Sequence, residues 1–259
     1  MSAGDTFRSV AAEAYDRHVG RYSRALAREL IASAGLAAPA RAVDVGCGPG
    51  PLTTELAAVL GAENVCACDP SPPFVEACRT RNPGVRVELA PAEALPFDDD
   101  AFDAALAQLV VNFMRDADAG LAQMRRVTRP GGVVAAAVWD YGAGMTLLRT
   151  FWDAAGALDA CAPDEDGMAY ATADELHALW TRAGLTDVAA GEVVVAAAYT
   201  DFEDLWAPLE AGVGPAGAYA VSLDDEDRAG LKAEFQQRLG VGDASFGLSA
   251  RAWAVRGTA

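Results

Sequence analysis

Histidine is nearly absent from this 259-residue chain, which holds two, His18 and His177. A centre built from several imidazoles is therefore excluded. Cys66-x-Cys68, on an apolar stretch, finds too few partners to complete a metal site, and no metal is expected. Cysteine is scarce too. The five residues (47, 66, 68, 78 and 161) are odd in number and fall mostly on expected core elements, which fits reduced thiols in a cytoplasmic protein rather than a disulfide framework. No run of 18 apolar residues free of charge occurs, so no membrane span is expected. The first residues, Met1 to Arg8, lead no basic segment into an apolar stretch, so no secretion signal is expected either. Basic side chains are outnumbered, 20 against 37 acidic ones, for a formal charge of −17. Such a surface repels phosphate backbones and anionic lipid, which removes nucleic acid and membrane from the expected partners.

What is present is an alternation of strand and helix. Apolar residues make up 52% of the chain, with alanine prominent, as suits helices packed on both faces of a sheet. Residues 5–34 read as two helices broken at Gly20. Strands are expected at Arg41–Val45, Asn64–Cys68, Val85–Leu89, Phe102–Gln108 and Val133–Trp139, the last after a tight turn at Pro130-Gly-Gly132. Between them come helices from Pro51 to about Leu60, over Pro72–Arg81 and over Ala117–Val127. After residue 140 the rhythm changes. Residues 143–184 read as wholly helical, with a capping box at Thr172-Ala-Asp-Glu175. A strand near Val188–Tyr199, helices near 201–211 and 224–239, and a last strand near Phe246–Val255 complete the chain. No repeat, linker or low-complexity tract divides it, so one domain over 1–259 is expected. Cap helices would occupy 1–38, a cofactor core 40–140, and helical lid insertions with the last two strands 141–259.

The core carries the chemistry. Val43-Asp-Val-Gly-Cys-Gly-Pro-Gly50 reads as strand, glycine turn and helix start, and Asp69 closes the next strand. This is the layout of a βαβ unit that holds an adenosine-containing cofactor. A dinucleotide fingerprint needs a third glycine at position 51, where Pro51 stands; the third glycine is Gly50. Gly46, Gly48 and Gly50 let backbone amides approach a ligand, and the following helix start favours an anion. Asp44 can reach an ammonium group. Asp69 can accept from both hydroxyls of a ribose, or cap the helix after Asp-Pro-Ser. Glu93, in Ala92-Glu-Ala94, can accept from an adenine amine, or is simply exposed.

The turn around Cys47 resembles motif I of the class I S-adenosylmethionine (SAM) dependent methyltransferases. Cys68-Asp-Pro-Ser71, Ala92-Glu-Ala-Leu-Pro-Phe97, Gln108-Leu-Val-Val-Asn-Phe113 and Arg129-Pro-Gly-Gly132 follow in that family's order. The set is similar to the small-molecule branch, which includes ubiquinone/menaquinone-type and natural-product methyltransferases. The resemblance implies a Rossmann-like sheet of seven strands in the order 3-2-1-4-5-7-6, its last strand antiparallel, under a helical cap. It implies SAM as cofactor, S-adenosylhomocysteine as product and a small-molecule acceptor methylated at O, N or C by a monomer or homodimer. Asp44, Gly46, Cys47, Gly48, Gly50, Asp69, Pro70, Ser71, Ala92, Glu93, Ala94 and Gln108 would line the cofactor, with Tyr15, Arg21 and Tyr22 closing over its methionine end. Gln108 and Asn112 are candidates to orient the acceptor, and His18, otherwise a half-exposed helix residue, is a candidate base. Some of Trp139, Tyr141, Phe151, Trp152, Trp180 and Trp206 would line an apolar acceptor pocket. A nicotinamide-dependent oxidoreductase and a SAM-binding regulator without catalysis are the alternatives.

Overall fold

The computed structural model describes His18 and residues 20–259. Short runs of small and β-branched residues form the interior strands because both of their faces are covered. All four residues of β1 (Ala42–Val45) are buried, the mark of a parallel strand between helical layers. The first half of the fold continues with α1 (Gly20–Ser33, before β1), α2 (Pro51–Leu60), β2 (Val65–Asp69), α3 (Pro72–Arg81), β3 (Arg86–Leu89), β4 (Phe102–Gln108), α4 (Ala117–Val127) and β5 (Thr128–Trp139). Then come α5 (Thr146–Leu158), α6 (Ala173–Arg182), β6 (Thr186–Tyr199), α7 (Phe202–Glu210), α8 (Gly214–Ser222), α9 (Asp225–Leu239) and β7 (Phe246–Thr258).

The sheet has the order β3-β2-β1-β4-β5-β7-β6. Its first five strands are parallel, with Ala42 beside Val65 and Ala104, and β7 runs antiparallel to β5 from Val133↔Thr258 to Trp139↔Ala252. This is the class I methyltransferase fold. The strand order reverses between β1 and β4, and the crevice at their carboxyl ends is where an open sheet of this kind receives a ligand.

The chain divides into two compact units. One comprises Ser23–Trp139, Ala169–Val193 and Ala252–Ala259 and carries β1 to β5. Its centre is alanine-rich, with Ala104, Ala105, Ala107, Ala135, Ala136 and Ala137 all fully buried. The other comprises the chain up to Tyr22, Asp140–Met168 and Val194–Arg251. An aromatic cluster fills it: Phe151 meets Trp152 at 5.0 Å and Phe235 at 5.6 Å between ring centroids, and Phe202 meets Phe235 at 5.8 Å.

Three expectations change. The segment read as helical over 143–184 breaks between Leu158 and Ala173, because Pro163 lacks an N–H and Asp164 Oδ1 takes the amides of Glu165 and Asp166 into a local turn. The Thr172 cap is present, its hydroxyl accepting from the Glu175 amide at 3.2 Å. Pro130-Gly-Gly132 is not a tight turn but part of β5, bulged so that Phe102 faces Thr128 while Ala104 faces Val133. Gly131, at φ +79°, absorbs the bulge and donates to Ala259 O at 2.9 Å. Helix α8 falls between the helices expected near 201–211 and 224–239, in a stretch given no element. There a Cβ on Gly217 would stand 2.6 Å from the Gly212 carbonyl carbon, so tertiary packing decides the conformation. The helix expected ahead of Gly20, with Tyr15, lies outside the described residues. Among the described residues no helix is long and apolar enough to cross a membrane.

Candidate active site

The site is built at the ends of β1, β2 and β4. β1 ends at Val45 and the chain turns at once through Gly46, Gly48 and Gly50, at φ +74°, +52° and +93°. These angles suit glycine alone without strain. Two of the three also have no room for a side chain: a Cβ on Gly46 would lie 2.5 Å from Val110, and one on Gly50 would lie 2.5 Å from Asn82 Nδ2. Gly48 differs, since nothing stands within 4 Å of its Cβ position. The turn is therefore closed toward the protein at its ends and open at its middle. The Gly46 and Cys47 amides both donate to Cys68 O, at 2.8 and 2.9 Å, which pins the turn to β2.

Asp44 sits beneath this turn, 1% exposed. Its Oδ2 accepts from Thr53 Oγ1 at 2.6 Å, and the Thr53 amide in the first turn of α2 faces the same carboxylate. Its Oδ1 has no hydrogen-bond partner among the described residues. Burial pushes the group up to about 8, against the pull of the Thr53 hydroxyl, with Cys78 and Asp69 adding to the rise. A buried carboxyl with one unmatched oxygen is a place prepared for a cation.

Asp69, at the end of β2, accepts from the Gly48 amide through Oδ2 at 2.9 Å and from the Ser71 amide through Oδ1 at 2.8 Å. It braces the turn and starts the Asp-Pro-Ser corner together. Pro70 is exposed, and Ser71 is buried at the N-cap of α3 with its amide held by the Asp69 carboxylate.

After β3, Ala92 is buried, Ala94 exposed and Glu93 half-buried. Glu93 Oε1 accepts from the Arg115 amide at 2.8 Å and the Asp116 amide at 3.3 Å, which ties this loop to the start of α4. At the end of β4, Gln108 donates through Nε2 to Ser23 O at 3.0 Å, and its buried Oε1 has no partner among the described residues. Leu109 follows at φ +62°, a strained backbone for leucine, held by its amide donating to Ala137 O at 2.7 Å. Asn112 is half-buried in the short turn Val111–Phe113.

The cap residues have partners in their own unit. Arg21 forms a paired hydrogen bond with the Asp204 carboxylate and donates to Ala198 O at 3.1 Å. Tyr22, fully buried, shares a hydrogen bond with the Tyr199 hydroxyl at 3.1 Å. His18 is not half-exposed but 2% exposed, in a turn; burial, then the nearby Arg21 charge, hold it down to about 4. Its imidazole is neutral across the physiological range. Of the aromatic candidates, Trp180 is structural, its indole donating to Val134 O at 2.9 Å. Trp152 donates to Glu165 Oε2 at 2.8 Å. Sequence reasoning passed over Thr53, Leu109 and Val110. Thr53 had a signal, a hydroxyl in the first turn after the glycines; the other two take their places from backbone geometry that the sequence pattern does not encode.

An acid in β1 just before an open glycine turn, with a second acid at the next strand's end, is the arrangement the site presents. Residues 43–136 match the methyltransferase domain family. The matched segment coincides with the parallel half of the sheet. A malonyl-[acyl-carrier protein] O-methyltransferase of Pseudescherichia vulneris is 38% identical over 125 residues, covering 48% of this chain and 49% of that one. A ubiquinone/menaquinone biosynthesis C-methyltransferase of Geobacter sp. is 32% identical over 114 residues, 41% of this chain and 48% of that one. The chain thus spans about half the length of the curated relatives it matches. Among solved structures, a SAM-dependent methyltransferase of Thermotoga maritima, a possible histamine N-methyltransferase, superposes with a TM-score of 0.59 at 19% identity, covering 99% of both chains. The likeness is one of fold, over nearly the whole of both chains.

Proposed function

We propose that this protein transfers a methyl group from SAM to O, N or C of a small organic molecule. The observation that carries the proposal is the buried Asp44 carboxyl, with one unmatched oxygen, directly beneath the glycine turn and across from Asp69. These residues fit the cofactor. Asp44 would receive its ammonium, the open face of Gly48 its amino-acid backbone, Asp69 its ribose hydroxyls, and Glu93 with Ala92 and Ala94 its adenine edge. When bound, SAM supplies a methyl group already activated by the sulfonium charge.

The chain's own contribution is then positional. The glycine turn, pinned to Cys68 O and Asp69, fixes one reaction partner. Gln108, anchored through Nε2 with Oε1 unmatched, offers an acceptor oxygen to orient the other, with Asn112 beside it in the chain. Holding both partners in line and excluding water provides most of the acceleration in such a displacement. A base is needed only if the acceptor carries a proton to be lost; His18, held down to about 4 by burial and the Arg21 charge, is poorly suited to take it.

Calorimetric titration with SAM, S-adenosylhomocysteine and NADH in parallel tests the assignment. Binding of the two sulfur ligands with no NADH signal supports it, and an acceptor screen by a mass gain of one methyl follows. NADH binding, or no heat from any of the three, refutes it.

A further inference from the structure

The amino ends of the first four strands hold a cavity of about 380 Å3, at the opposite strand ends from the glycine turn. Arg41 comes immediately before β1, Cys66 is the second residue of β2, and Arg86 and Phe102 begin β3 and β4. The register Val43↔Cys66↔Arg86 puts these side chains on one face of the sheet, and Arg41, two residues before Val43, shares it. The loop between β3 and β4 adds Phe97, Asp98 and Asp99 to the lining. Each arginine lies over its own ring. The Arg41 guanidinium stands 5.7 Å from the centre of Phe102 and that of Arg86 5.3 Å from the centre of Phe97, and the two rings meet edge to face at 5.2 Å. Both rings are buried, whereas both arginines are exposed, so a ligand reaches the cations directly. A guanidinium laid on a ring is held in place without using its N–H groups. Arg86 engages one, Nε, with Glu88 Oε1 at 2.7 Å. The Arg41 guanidinium engages none among the described residues. The Asp103 carboxylate on the neighbouring strand already takes the Arg41 amide at 2.7 Å and Arg129 at 2.6 Å. Of the two acids in the lining, Asp99 is paired with Arg126 at 2.7 Å, and the exposed Asp98 acts on Arg86 through its charge.

We propose that this cavity binds a small molecule carrying two anionic oxygen groups, a polycarboxylate or a phosphate compound, each group taken by one guanidinium. Unused N–H groups held in a fixed plane match the paired oxygens of a carboxylate or phosphate. The two cations are seated on separate rings, so a ligand with a group for each binds better than a small monoanion. The volume lies in the range of small-molecule sites. Asp44 and Asp69 stand at the other ends of the same strands, so the occupant does not compete with SAM, and the site does not depend on the methyl-transfer reading.

Cys66, half-buried in the cavity wall, reports on the site. Burial pushes its thiol up, and the Arg86 and Arg41 charges both pull it down. The test alkylates the full chain with iodoacetate, an anion, or with iodoacetamide, its neutral counterpart, and follows Cys66 by peptide mass. The ratio of the two rates at one thiol cancels its pKa. That ratio should fall by about threefold or more in Arg41→Gln and in Arg86→Gln at low ionic strength, and rise in Asp98→Asn. At matched ionic strength, citrate or pyrophosphate should slow iodoacetate at Cys66 in the parent and not in the arginine variants, while acetate does not. Protection by citrate alone assigns the site to carboxylates, and by pyrophosphate alone to phosphates. A ratio unchanged by both arginine substitutions, acetate protecting as well as the other two, or no protection from either of them overturns the proposal. Should Cys66 resist both reagents, calorimetric titration with citrate and pyrophosphate decides: heat from the parent and none from Arg41→Gln supports the site, and equal heat or none overturns it.

Discussion

Acidification from pH 7 to pH 6 should weaken cofactor binding, and Asp44 sets by how much. In the free protein burial holds its carboxyl at about 8, so it is mostly protonated at neutral pH. A bound ammonium requires the charged form. The fraction ready to receive it is about 9% at pH 7 and about 1% at pH 6, so affinity changes about ninefold, or ~1.3 kcal/mol. A proton is released on binding, and calorimetry in buffers of different ionisation enthalpy counts it. S-adenosylhomocysteine is the ligand to use, since it presents the same amino-acid end without the reactive sulfonium. The groups around Asp44 provide the controls. Asp44→Asn should abolish the slope and the released proton. Cys78→Ser removes a neighbour that adds to the rise of Asp44, and should keep the released proton while moving the slope to lower pH. Constant affinity from pH 6 to pH 7 with no proton released would refute the pairing of Asp44 with the ligand's ammonium.

Asp69→Ala removes the acceptor of the Gly48 and Ser71 amides and the one proposed for the ribose hydroxyls, and should weaken S-adenosylhomocysteine binding by roughly 2–3 kcal/mol; unchanged affinity reassigns Asp69 to bracing alone. Gly50→Ala places a methyl 2.5 Å from Asn82 Nδ2 at φ +93° and should destabilise the fold by about 1–3 kcal/mol, read as a lower denaturant midpoint. Glu165, buried and raised to about 7 first by burial and then by Asp164, binds its proton more tightly folded than unfolded. Its contribution to stability is present below about pH 4.5 and lost as pH rises through about 7. Glu165→Gln should therefore raise the melting temperature at pH 8 relative to the parent and change it little at pH 4; an equal effect at both would show that Glu165 does not titrate there.

The parallel half of the fold was legible almost to the residue. Pro72–Arg81, Phe102–Gln108 and Ala117–Val127 have the bounds that periodicity and caps indicate, because each is a short element covered on a known face and ended by its own local chemistry. The sheet order followed from resemblance rather than from spacing. Where expectation and structure part, at the break after Leu158, the bulge at Gly131 and α8, the outcome depends on packing or on backbone bonds between distant segments. The site shows the same division. Glycines and acids at strand ends announce themselves by position. That one Asp44 oxygen lacks a partner, that Glu93 holds two amides of the following loop, and that His18 is buried are consequences of assembly.

The alanine-rich centre of the sheet makes the domain's tolerance to change one-sided. Ala104, Ala105, Ala107 and Ala135–Ala137 have almost nothing to lose, since trimming to glycine removes one methyl. Any enlargement instead pushes against helices seated close on both faces. Substitutions that enlarge a side chain are therefore better borne at the rim of the sheet than in its middle strands.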